Sequence, residues 1–174
     1  WRANRIDPAL IIADAAAERA LGAEVVVVSL HWGASMVSQP TEYQRTVAEA
    51  LTASGQINLI VGHHSHVLQP ISQVYGVWIV WGMGNFLSAH PTSKEWPPQS
   101  QDGVIVSLTF TRQPDGTIAV SRPSVQTTWC DKDHGYVVRA TSEQNDPNLS
   151  AAVRNGLRIS EARTRKLMGE FIAA

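Results

Sequence analysis

Glu24-Val25-Val26-Val27-Val28-Ser29-Leu30-His31-Trp32-Gly33 and Asn58-Leu59-Ile60-Val61-Gly62-His63-His64-Ser65-His66 are the two stretches on which the fold turns. Each is an apolar run that stops at histidine. Four consecutive valines in the first and Leu-Ile-Val in the second are the pattern of strands buried on both faces of a parallel sheet. Between them, from about Thr41 to Ser54, Tyr43, Val47, Ala50, Leu51 and Ser54 fall on one helical face, and Gly55 ends the helix. Strand, crossover helix and strand make a right-handed βαβ unit whose two strands run the same way. Their carboxyl ends share one edge, so topology brings His31, His64 and His66 to a single rim. Open α/β sheets hold ligands at that rim.

Upstream, Asp7 as N-cap and Pro8 in the first helical position open another helix, and Gly22 is the matching stop. Downstream the texture changes to short alternating strands: Ile71 to Tyr75, Val77 to Gly82 and Gly103 to Arg112, with Gly76 in the first turn. Gln113-Pro114-Asp115-Gly116 signals a turn into Thr117 to Ser121, which completes a hairpin. Ser88 to Asp102, rich in Pro, Ser and Gln, predicts a surface loop near the rim. Asp146-Pro147 predicts the start of a C-terminal helix running towards Phe171, with Arg154, Arg158, Arg163, Arg165 and Lys166 on a solvated face. The expected fold class is α/β, a parallel βαβ unit followed by mainly antiparallel strands and a C-terminal helix. Residues 1–140 form its main portion and 141–174 a C-terminal loop and helix.

A chain of 174 residues is long enough for one domain with a substantial core. Its 44 % hydrophobic and 17 % charged residues set it apart from disordered chains. Fourteen basic against fifteen acidic side chains give a net charge of −1, which leaves no global field to attract nucleic acid. The single Cys130 excludes an internal disulfide and leaves the redox compartment open. No stretch approaches the roughly 20 apolar residues of a membrane helix. The start, Trp1-Arg2-Ala3-Asn4-Arg5, has no initiator methionine and no signal-peptide core, as expected of a piece of a longer chain.

Three of six histidines fall within four positions. Imidazoles desolvated at a strand end need partners, so three together are a costly way to fill a turn. A His64-x-His66 pair, with His31 from the neighbouring strand, is a nitrogen set for a divalent metal, while His63 points elsewhere. A packed loop histidine is the plainer alternative for His31 taken alone. Gly82-Met83-Gly84-Asn85-Phe86 ends a strand, and Asn85 is either a site amide or a turn-stabilising one. Trp129-Cys130-Asp131-Lys132-Asp133-His134 holds conceivable ligands, yet Asp-Lys-Asp-His-Gly is ordinary turn chemistry, and no second metal site is expected there.

The segment Val25 to Gly33, then Pro40 and Gln44, then Gly62-His63-His64-Ser65-His66-Val67-Leu68-Gln69-Pro70, then Gly84-Asn85-Phe86, resembles the CapA family of bacterial capsule synthesis proteins, associated with poly-γ-glutamate. That family is similar in fold to calcineurin-like metallophosphoesterases, whose αββα sandwich carries a two-metal site. The resemblance covers about Asp7 to Pro123 and implies that the chain is the C-terminal half of such a sandwich. It makes His31, His64 and His66 metal ligands; if the whole domain is catalytic, His63 protonates a leaving group and Asn85 orients site or substrate. Ser65 stands where the family has proline, and no acidic residue stands two positions after Gly33. The Asp-x-His, Gly-Asp and Gly-Asn-His elements of the N-terminal half have no match before His31.

The resemblance implies a role in capsule or cell-envelope polymer biosynthesis at the cell envelope or extracellular face. The cofactors implied are divalent metal ions, Mn, Fe, Zn or Mg, two in the complete domain. The partners implied are an anionic polymer or phosphoester substrate and membrane-associated synthesis proteins. Three neutral imidazoles supply none of the anionic charge that two adjacent metal ions require. Weak or no metal-dependent catalysis is therefore expected of these residues alone. Two alternatives stay open: a non-catalytic accessory module for an anionic polymer, and a generic metal-dependent phosphoesterase.

Overall fold

The computed structural model describes residues 4–90 and 92–172. Helix α1 (Pro8–Ala20) opens as expected, with the Asp7 side chain accepting from the Ala9 and Leu10 amides. Strand β1 (Val27–His31) leads to helix α2 (Glu42–Ala53), and strand β2 (Leu59–His63) follows it. Thr41 and Gln44 form a reciprocal capping box at the start of α2. Both strands extend to include their histidine, so His31 and His63 are register partners at the last position of the parallel pair.

Strands β3 (Ile71–Val74) and β4 (Val77–Val80) form the next hairpin, turned at Tyr75 and Gly76, both with positive φ. The sheet order is β1-β2-β4-β3, with β2 and β4 parallel and β3 antiparallel at the edge. The carboxyl end of β4 therefore joins those of β1 and β2 on one rim. One face of the sheet packs under α1 and α2 through Ala15, Val47, Leu51, Ile60 and Ile79. The other carries Leu68, Ile71 and Val80 into a second core with Val104, Val125, Met168 and Phe171.

Close to the rim, Trp32 and Trp81 stack with ring centroids 5.6 Å apart, and Trp32 Nε1 donates to the Trp81 carbonyl at 3.1 Å. Gly62 lies against this pair. A Cβ there would sit 2.0 Å from the Trp81 carbonyl oxygen and 2.4 Å from Trp32 Nε1, so only glycine lets β2 pass.

The expected single strand from Gly103 to Arg112 is two strands, β5 (Asp102–Ser107) and β6 (Phe110–Arg112). Between them the Thr109 amide donates to Ser121 Oγ and the Ser121 amide to the Thr109 carbonyl, which pulls β6 away to pair with β7 (Ile118–Val120). Two strands were not anticipated, β8 (Ser124–Asp131) and β9 (Val137–Ala140). They complete an antiparallel sheet of order β5-β8-β9. Lys132–His134 is the expected turn, closed by Gly135.

The last helix begins later than the sequence suggests. Asp146 Oδ1 accepts from the Asn148 amide in a local turn, and Ser150 caps α3 (Ala151–Met168) through the Val153 amide. Its last turns and Phe171 close the second core, where Phe171 meets Trp78 edge to face at 5.7 Å. Among the described residues no helix is long and apolar enough to cross a membrane.

Candidate functional site

Five side chains expected at a site lie at or just beyond the carboxyl ends of β1, β2 and β4, and two of them stand on a contorted turn. His64 has φ 95° and His66 φ 57°, conformations that cost a non-glycine residue roughly 1–3 kcal/mol each. Ser65 between them is buried and holds the turn. Its hydroxyl donates to the Val67 carbonyl at 2.6 Å, and its own carbonyl accepts from the Met36 amide at 2.7 Å. The serine that stands in the proline's place thus fixes the loop by hydrogen bonding.

The two positive-φ histidines turn to different partners. His64 Nδ1 lies 2.9 Å from His31 Nε2, so one of these nitrogens carries a proton and the other accepts it. The rings are tilted, with centroids 4.6 Å apart. On its far side His64 Nε2 approaches Ser35 Oγ at 3.5 Å. His66 lies 6.1 Å from His64, centroid to centroid, and its Nδ1 is 3.0 Å from Asn85 Oδ1. Because Asn85 Nδ2 donates to the Ser100 carbonyl at 2.9 Å, its Oδ1 must face the histidine and accept from Nδ1–H. Neutral His66 is thereby fixed in the tautomer whose Nε2 is free to bind a cation or accept a proton. Asn85 acts through His66 as a positioning residue.

His63 sits beside His31 across the strand pair. Burial holds its pKa below the ordinary histidine value, and the nearby His31 adds to the effect. His64 is shifted the same way, first by burial and then by His31 and His66. Both are therefore neutral bases near pH 7. For His63 this suits accepting a proton more than giving one.

Sequence reasoning missed the aromatic wall beside His66. The Trp96 ring meets His66 edge-on at 5.2 Å and stacks flat on His90 at 3.4 Å. Both belong to the stretch expected as a rim loop, whose composition gave no sign of which residue would turn inward. Ser35 was likewise hidden, since only the folded turn brings it to His64.

The donors are nitrogen-rich, which suits Zn or Fe better than the oxygen-seeking Mg or Mn. They fit a share of a metal site and not a closed one. Among the described residues no group of three His, Cys, Asp or Glu side chains is arranged to hold a metal ion. The two buried acids of the second sheet are engaged elsewhere: Asp102 takes a two-pronged contact from Arg163, and Asp131 is bound by His134 and Arg139.

The family model described as bacterial capsule synthesis protein PGA_cap matches residues 2–90, which include all five of these site residues. The PGA biosynthesis protein CapA of Bacillus subtilis (strain 168) is 43 % identical over 65 residues, 37 % of this chain and 17 % of that protein. The capsule biosynthesis protein CapA of Bacillus anthracis is 38 % identical over 65 residues, 37 % of this chain and 16 % of that protein. The aligned segment is thus under a fifth of either relative's length. The mixed parallel and antiparallel sheets with a C-terminal helix accord with a metallophosphoesterase-like fold. By its sequence match and this architecture, the chain belongs to the bacterial capsule synthesis protein PGA_cap family.

Proposed function

We propose that this chain is part of a protein that acts in capsule or cell-envelope polymer biosynthesis of the poly-γ-glutamate type, at the cell envelope. The observation that carries the reading is the convergence of the His31–His64 pair and the Asn85-oriented His66 at the carboxyl ends of three parallel strands. In this reading His31, His64 and His66 are the imidazole share of a divalent-metal site, completed by anionic ligands from outside the described residues. A metal bound there would acidify a water and polarise a phosphoester or amide of the substrate. His63 holds or moves a proton at the rim, and Asn85 keeps His66 in its ligating tautomer. The substrate is an anionic polymer or its phosphoester precursor, and membrane-associated synthesis proteins are the partners.

The nitrogen-only donor set gives a second reading its own footing: an accessory module that binds polymer without turning it over. Two measurements on the whole protein separate them. The catalytic reading expects a stoichiometric divalent metal and a loss of polymer formation of at least tenfold in His64→Ala. Metal-free protein whose His64→Ala variant still supports normal polymer formation would leave only the accessory reading.

A further inference from the structure

An open cavity of about 460 Å³ lies beside the His31–His64 pair and is bounded on its far side by Asn4, Arg5 and Tyr43. No carboxylate lines it. Arg5 lines the cavity and belongs to none of the ion pairs formed among the described residues. Its place is set by its neighbours. Ile6 packs against the core under α1, and Asp7 caps that helix. Across the cavity Tyr43 stands in the first turn of α2, half exposed. That turn is held rigidly because the adjacent Gln44 is fully buried and donates to Gln69 Oε1 at 2.8 Å.

The lining is therefore one permanent cation among side chains able to donate: an asparagine amide, a phenol and two imidazoles. A guanidinium presents its N–H groups as a fork that matches two oxygens on one carbon or phosphorus atom. An open cleft of this size suits a group carried on a longer chain better than a fully enclosed small molecule. We infer that the cavity is an anion subsite in which Arg5 takes a carboxylate or phosphate of the ligand and holds it beside the His31–His64 pair. The use of this subsite on a capsule-type polymer rests on the proposed function, whereas the binding itself does not.

The test is calorimetric titration of the whole protein at constant ionic strength with two probes, inorganic phosphate and γ-glutamyl-glutamate. At least one should bind saturably, and Arg5→Gln should weaken it tenfold or more. Arg5→Lys should fall between, keeping the charge and losing the fork. Tighter binding of the dipeptide assigns the subsite to carboxylates, and tighter binding of phosphate assigns it to phosphoesters. Because Arg5 is exposed, the thermal midpoint of Arg5→Gln should match that of the parent. Equal affinity in Arg5→Gln and parent, or no saturable binding of either anion by the parent, overturns the inference. If Arg5→Gln abolishes anion binding while His64→Ala leaves polymer formation intact, the subsite stands and the functional reading falls. If anion binding survives Arg5→Gln while His64→Ala abolishes polymer formation, the functional reading stands and the subsite falls.

Discussion

The two sheets handle buried polarity in opposite ways. At the rim of β1, β2 and β4 the imidazoles are paired with no carboxylate, His64 with His31 and His66 with Asn85. Around β5 and β8 the buried acids are each matched by a cation. Asp102 accepts from Arg163 at 2.7 and 2.8 Å and from Ser160 at 2.7 Å; Asp131 accepts from His134 at 2.7 Å and Arg139 at 3.2 Å. Burial pushes the Asp102 carboxyl up, and the hydrogen bonds from Arg163 and Ser160 oppose that shift. The chain has carboxylates in its interior, but they are spent on joining α3 and β9 to the sheet. The rim is left with imidazoles on a strained turn, the reverse of what stability alone would favour.

Removing a partner in the second region should cost most. Asp102→Ala leaves a guanidinium with 24 % side-chain exposure and a buried serine hydroxyl without their acceptor. Breaking such a pair costs roughly 3–5 kcal/mol, and the partial exposure of Arg163 places the expectation at about 3 kcal/mol. Urea denaturation measures it. A loss under about 1 kcal/mol would erase the contrast, because the carboxylate would then not be committed to structure.

At the rim the same kind of truncation should have the opposite sign. His64→Gly relieves a φ of 95° that glycine adopts freely, at the expense of the His31 hydrogen bond and some added chain entropy. A net gain of about 1 kcal/mol is expected by thermal or urea unfolding. Destabilisation by that amount would mean that the histidine pair holds the loop together instead of straining it.

The same contrast explains what the sequence disclosed. Strands β1 and β2 were legible because their buried residues are apolar, and topology then required His31, His64 and His66 to share a rim. Strand β8 was not, because its buried positions include the polar Thr127, Thr128 and Asp131; Thr127 meets Thr141 and Asp131 meets His134 and Arg139, pairings that only the fold reveals. Asp146-Pro147 imitates a helix start, and only the competing turn to Asn148 reveals Ser150 as the cap. Within the site, the division of His64 to His31 and His66 to Asn85 depends on two positive φ angles that no pattern of residue types encodes. Asn85 carried an even choice between turn and site. Its two hydrogen bonds, to His66 and to the Ser100 carbonyl, make it the link between the rim and the loop that precedes β5.

The smallest expected effect is a pH dependence that belongs to the rim. His63 and His64 both have folded pKa values below the ordinary 6.5, through burial and then neighbouring imidazoles. Above that value the folded and unfolded forms are both neutral, and these groups contribute nothing to the slope. As pH falls through 6.5 the unfolded chain takes up protons that the folded rim resists, so the metal-free protein loses stability until the folded pKa values are passed. The groups facing them, His31 and His66, add repulsion when protonated and no opposing charge. Urea midpoints of chelator-treated protein at pH 7.5 and 5.5 should therefore differ. The difference should shrink in the His63→Gln, His64→Gln double variant. An unchanged difference would place the acid sensitivity away from His63 and His64, and the contrast drawn for the rim would fail with it.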